Sequence, residues 1–183
     1  MDYHVECVVH CHFVCYISLS IFMNSHAAPR AIPGIDYVGL AVGVHCLNSE
    51  GKILLVRRSV KARDEHGTWD KIGGGVKHAE TLRDAALREV FEETNCKAEH
   101  LTYLGFQEIF REHGDRKTHW ICMLFSCIIN PADVVVNIPE ADAHGWFDLE
   151  DLPTPLHSQF LHQLAYLKQA MSPHSGQKIE MAA

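Results

Sequence analysis

The sequence predicts an α/β fold in which helices layer onto a β-sheet. Apolar, strand-like stretches separated by polar turns recur from residue 37 to residue 147. Only two segments carry helical signals, one at 82–94 and one near the C-terminus. A doubly wound parallel sheet would need more crossover helices than these two. Size agrees with this, since 183 residues with 47% hydrophobic content allow one domain with a full core.

Each element has a local reason. Residues 24–33, with Ala-Ala-Pro and Ile-Pro-Gly, read as a linker. Residues 37–47 are rich in Val, Leu and Ala and read as a buried strand. Asn48-Ser49-Glu50-Gly51 supplies turn chemistry, and residues 52–57 complete a hairpin. A polar loop over 59–68 leads through 69–76, with its three glycines, into a helix over 82–94. Thr81-x-x-Asp84 resembles a capping box, and Asn95 stands where a left-handed residue ends a helix. Ala86, Leu87, Val90 and Phe91 form its expected apolar face. Residues 101–110 and 118–129 read as strands joined by a polar turn over 111–117, and 143–147 as another. Thr154-Pro155 is expected to start the last helix, with Leu156, Phe160, Leu164 and Leu167 recurring at near-helical spacing. From Ser172 on, the chain reads as a flexible polar tail, 172–183.

Composition excludes several classes of function. A formal charge of −7 argues against general affinity for nucleic acid, and no run of eighteen apolar residues suggests a membrane span. Seven cysteines are an odd count, and Cys46, Cys122 and Cys127 sit in apolar segments where a free thiol acts as a small hydrophobe. That pattern fits a reducing cytosol. Residues 1–34 read as a poorly ordered extension with Met23 as an alternative start. Cys7, Cys11 and Cys15 lie there among His4, His10 and His12, without a recognised zinc spacing, and no basic residue precedes Arg30 as a signal peptide would require.

One cluster has no structural purpose of its own. Gly73-Gly74-Gly75 is followed by Glu80 and then by Arg88-Glu89-Val90-Phe91-Glu92-Glu93. On a helix Glu89, Glu92 and Glu93 fall at i, i+3 and i+4, where like charges oppose helix formation by roughly 0.2–0.5 kcal/mol per pair. Carboxylates gathered at such a cost suit a hard cation.

The run Gly74-x5-Glu80-x7-Arg88-Glu89-Val90-x-Glu92-Glu93-x-Asn95-Cys96 resembles the Nudix box, G-x5-E-x7-R-E-U-x-E-E-x-G-U. Every charged position matches. Asn95 and Cys96 replace the final glycine and aliphatic residue, and Ile72, Lys77 and Ala79 depart from the usual proline, acid and glycine. The resemblance assigns a Nudix hydrolase domain to 35–171 and implies an α/β/α sandwich with a mixed sheet. It implies hydrolysis of a diphosphate linked to another moiety, dependent on Mg²⁺ or Mn²⁺, with a (deoxy)nucleoside triphosphate as the leading substrate. ADP-ribose or nucleotide-sugar cleavage, or a catalytically silent nucleotide-binding module, are the alternatives. The proline typical of ADP-ribose members is missing, since the first proline after the box is Pro131.

Residue roles follow from the same resemblance. Glu89, Glu92 and Glu93 are the expected metal ligands, joined by the Gly73 carbonyl, and Glu89 is a candidate base. Glu140 on a late loop is a further metal or base candidate, with Asp142 competing. Arg88 is expected to orient a carboxylate, with Gly74 and Glu80 in support. Arg57, Arg58, Lys61 and Arg63 are candidates to grip substrate phosphates. His119 and Trp120 are candidates to contact a base, and Trp69 reads as packing. The expected partner is a small nucleotide, and a homodimer is left open.

Overall fold

The computed structural model describes residues 31–113, 115–136 and 138–172, so the Cys/His-rich start and the polar tail lie outside the described residues. The compact unit that contains them begins at Ala31. Its strands are β1 (Gly39–Leu47), β2 (Ile53–Arg58), β3 (Trp69–Asp70), β4 (Ile72–Gly75), β5 (Glu99–His113), β6 (Arg116–Ile128) and β7 (Ala141–Phe147). The helices are α1 (Leu82–Thr94) and α2 (Phe160–Met171). No helix among the described residues is long and apolar enough to cross a membrane.

The sheet is mixed and divides into two leaves. In one, β1 lies between β4, antiparallel with Gly43 opposite Gly73, and β6, parallel with Val42 opposite Met123; β5 then pairs with β6. In the other, β2 lies between β3 and β7, both antiparallel. The leaves join at the base of the β1–β2 hairpin, where Leu47 faces Ile53.

Strand alternation explains the layers. Leu54 and Val56 point into a cluster with Val42, Val44, Ile72 and Phe125 beneath Ala85, Ala86 and Val90 of α1. Their neighbours Ile53 and Leu55 point the other way, onto Phe160, Leu164 and Leu167 of α2. The helices therefore cover opposite faces of β2, and the architecture is the expected α/β/α sandwich. Cys46, Cys122 and Cys127 are buried free thiols, and Cys96 fills the aliphatic place of the box as a fourth.

Both caps of α1 are as the sequence suggests. The Thr81 hydroxyl oxygen accepts the Asp84 N–H at 3.0 Å, and Asn95 is left-handed at φ 59° with its N–H donating to Phe91 O. The apolar face, however, is rotated from expectation. Ala85 is buried, whereas Phe91 is 54% exposed and Glu89 only 8% exposed. The buried stripe runs through Ala85, Ala86, Glu89, Val90 and Thr94, which is contiguous at about 100° per residue.

Two further expectations are corrected. The polar turn over 111–117 is strand almost throughout, because the β5–β6 pairing continues to His113 opposite Arg116. Polar side chains there find partners, Lys117 on Glu112 directly across the ladder and Arg111 on Asp64 away from it. Pro155 does not start α2. Its carbonyl accepts the Trp69 N–H at 2.9 Å and the His157 N–H returns to Trp69 O, so this segment runs beside β3 and the helix begins at Phe160.

Candidate active site

The glycines of β4 bring backbone and carboxylates together. A β-carbon on Gly73 would overlap the Val42 carbonyl, and one on Gly74 would overlap the Glu89 carboxylate. Helix α1 can therefore lie close enough for Glu89 to sit over Gly74 and for Glu93 to accept the Gly73 N–H.

Arg88 organises the acidic side of the helix. Its Nε and Nη2 donate to Glu80 at 2.6 and 2.8 Å, Nη2 also donates to Gly75 O at 3.0 Å, and Nη1 reaches Glu89 and, at 3.0 Å, Glu92. Lys77 adds Nζ to Glu92 at 3.3 Å and its own N–H to Glu80 at 2.9 Å. These hydrogen bonds to Arg88 and Lys77 hold the Glu80 carboxyl down to about 2 and lower that of Glu92. Arg88 is pushed up in turn, chiefly by Glu80.

Glu93 behaves in the opposite way. Burial, and then the negative charge of Glu89, raise its carboxyl to about 8; the Gly73 N–H works against this, while Asp70 and Glu140 add to it.

Of these groups, Glu89, Glu92 and Glu93 line a cavity of about 500 Å³, whereas Arg88, Glu80 and Lys77 are not among its lining residues. Gly73–Gly75, Glu89, Glu92, Glu93 and Glu140 form one part of its wall. Arg58 and Arg63 line it as well; Arg58 is tied to Asp64 at 2.7 Å, and the Arg63 guanidinium lies 5.6 Å from the Trp120 ring centre. Arg57 does not line it. Alternation along β2 turns Arg57 away from Arg58, and Asp142 holds it at 2.7 Å, which also takes Asp142 out of the site. Lys61 is not a lining residue either. Trp120 lines the cavity, whereas His119 pairs with Glu108 and stacks on Phe110. Trp69 packs edge-on against Phe147 in the α2 cluster.

Sequence reasoning missed the remaining wall. Asp70, Lys71, Arg111, Cys122, His157 and Gln163 converge on the cavity from five separate segments. The local signal was weak: an acid and a lysine side by side between Trp69 and the glycines, where a short strand has little use for either.

Among the described residues, no three His, Cys, Asp or Glu side chains converge at metal-ligand geometry. Glu89 and Glu92 lean on Arg88 and Glu93 on a backbone N–H. The donor set nonetheless fits a hard divalent ion. Its members are carboxylate oxygens, and the buried Glu93 carboxyl faces three acidic neighbours that make its charge costly without a cation.

Comparison with known proteins agrees with fold and box. The layered α/β/α sandwich with this glutamate helix over a glycine strand is the architecture of Nudix proteins, and a family model described as NUDIX domain matches residues 38–167. The chain belongs to that family. The 8-oxo-dGDP phosphatase NUDT18 of Mus musculus is 31% identical over 154 residues, covering 79% of this chain and 43% of that protein. Nucleoside triphosphatase NudI of Klebsiella pneumoniae is 30% identical over 113 residues, covering 58% and 79%. The crystal structure of a MutT NUDIX hydrolase from Burkholderia pseudomallei superposes with a TM-score of 0.60 at 28% identity, covering 71% of this chain and 95% of that one. The chain spans about half the length of several curated relatives it matches, 43–47%.

Proposed function

We propose that the protein is a Mg²⁺-dependent pyrophosphohydrolase that cleaves a phosphoanhydride bond in a nucleoside diphosphate derivative, foremost a (deoxy)nucleoside triphosphate. The observation that carries this is Glu93: a carboxyl raised to about 8 by burial and by Glu89, fixed on the Gly73 N–H at the wall of a nucleotide-sized cavity. Similarity to a nucleoside triphosphatase and to an 8-oxo-dGDP phosphatase supports the substrate class.

Glu93 and Glu89 would hold the ion, with Glu92, Glu140 and the Gly73 carbonyl alongside. Mg²⁺, or Mn²⁺ in its place, would neutralise phosphate oxygens and make a bound water acidic. The chain supplies the rest. Arg88 pins Glu89 and Glu92 so that their oxygens do not wander, Glu89 would take a proton from water, and the backbone at Gly73–Gly75 would leave room for phosphate. Arg58 and Arg63 offer positive charge to the phosphate chain from the same cavity. Buried free thiols suit a reducing compartment, and we place the protein in the cytosol.

The test is phosphate and pyrophosphate release from nucleoside triphosphates, nucleoside diphosphates and ADP-ribose with Mg²⁺. Wild type should turn over a triphosphate and Glu93→Gln should lose at least about 100-fold in kcat. A wild type that binds nucleotide and hydrolyses nothing would reduce the protein to a binding module.

A further inference from the structure

The carboxylates and glycines occupy one part of the cavity wall, and another part has a chemistry they do not need. Lys71 lies across strand β1 at Gly43, where a β-carbon would overlap its Cε and come within 3.3 Å of Cys122 Sγ. The missing side chain at Gly43 is what lets the lysine lie there. Lys71 is 8% exposed, and its ammonium has Asp70 Oδ1 at 3.5 Å as counter-ion. Gln163 reaches the cavity from α2; it is 1% exposed and its Oε1 has no hydrogen-bond partner. Both residues line the same cavity, with Cys122 beside the Lys71 end. Trp120 adds a flat wall, seated where side chains at Gly34 and Gly39 would collide with its indole.

An ammonium has three donors, and one counter-ion leaves others to offer. A buried amide oxygen without a donor is an acceptor awaiting one. A donor and an acceptor beside an aromatic wall match the O=C–N–H edge of a keto base such as guanine, thymine or uracil. Adenine and cytosine carry the reverse order, with an exocyclic amine beside a ring acceptor. An exocyclic amine facing Lys71 sets donor against donor.

We propose that Lys71 and Gln163 read the base, Lys71 donating to the exocyclic carbonyl oxygen of a keto base and Gln163 accepting the adjacent ring N–H, with the ring against Trp120. The inference rests on the nucleotide reading for the direction in which the ligand lies. It makes Lys71 a specificity determinant that touches the base and takes no part in the chemistry.

Two measurements on the full chain test it. The first is kcat/KM for dGTP, dTTP, dATP and dCTP with Mg²⁺. The second is calorimetric binding of GMP and AMP without metal. Wild type should favour the keto bases by about 10- to 100-fold. Lys71→Met should collapse that ratio toward one, mainly through KM. Gly43→Ala should do the same with the lysine retained, because the new methyl displaces a flexible side-chain end and leaves the strand backbone in place. Melting curves show whether both variants fold.

Hydrolysis of all four nucleotides without preference, or equal losses for all four in both variants, would overturn the base-reading role while leaving the hydrolase intact. Lys71-dependent binding of GMP over AMP with no hydrolysis would do the reverse. No binding and no hydrolysis would overturn both.

Discussion

Arg88 and Glu80 form a two-point ion pair, Nε to Oε1 at 2.6 Å and Nη2 to Oε2 at 2.8 Å. That pair leaves Nη1 aimed at Glu89 and Glu92. On the proposed mechanism Glu80 acts through Arg88, without touching substrate. Glu80→Gln is expected to lower kcat by about 10- to 100-fold with little change in melting temperature. Unchanged kcat in steady-state assays would remove the positioning role. Because Arg88 holds the Glu80 carboxyl down to about 2, the pair persists as pH falls through the ordinary carboxylate range and is lost only toward pH 2.

Gly74 leaves no room for a side chain, since a β-carbon there would overlap the Glu89 carboxylate. Gly74→Ala should move that carboxylate and cost about 100-fold in kcat/KM, the scale of a misplacement of about 1 Å. The far end of a glutamate can yield, so circular dichroism should show an intact fold. Wild-type activity in this variant would contradict the placement of Glu89.

His45 makes stability depend on pH in a defined direction. Its ring is buried, and desolvation followed by the charge of Lys71 lowers its pKa to about 3, with Asp70 and then the Gln163 backbone opposing. Phe160 and the uncharged Gln163 face it from α2. The unfolded chain takes up a proton near pH 6.5 that the folded chain refuses. Stability due to this residue is thus complete above 6.5 and is lost progressively as pH falls from there toward about 3. Urea midpoints of wild type and His45→Leu between pH 8 and 5 should diverge below 6.5, with the variant flatter. Parallel curves would show that the ring is solvated.

The caps of α1 set its limits. Thr81→Ala removes the acceptor for the Asp84 N–H and should cost about 1 kcal/mol. Asn95→Ala places an ordinary side chain at φ 59° and should cost about 1 kcal/mol as well. Because the cap sites are at opposite ends of the helix, the double variant should show the sum in chemical denaturation.

What was legible in the sequence was local. Helix α1 and its caps are specified within a few residues, so Thr81 and Asn95 fall where expected. Glu89 went astray because its burial depends on Arg88, which pairs with it and so makes a carboxylate tolerable in the stripe. Pro155 does not start the helix because its partner is Trp69, far away in the chain, and no local pattern records that pairing. The same holds for the cavity wall. Lys71, Arg111, His157 and Gln163 are ordinary residues one at a time, and only the folding of β1, β5 and α2 around one space gives them a common purpose.

The division of the sheet into two leaves has an evolutionary consequence. The leaves share the Leu47–Ile53 hairpin base, and the glutamate helix is anchored to the leaf that contains β1 and β4. Arg58, His157 and Gln163 reach the cavity from the other leaf or the segments laid on it. On the proposed reading, a lineage could rewrite Gln163 or lengthen the 59–68 loop, and so shift the choice of nucleotide while the α1 glutamates stay on their own leaf.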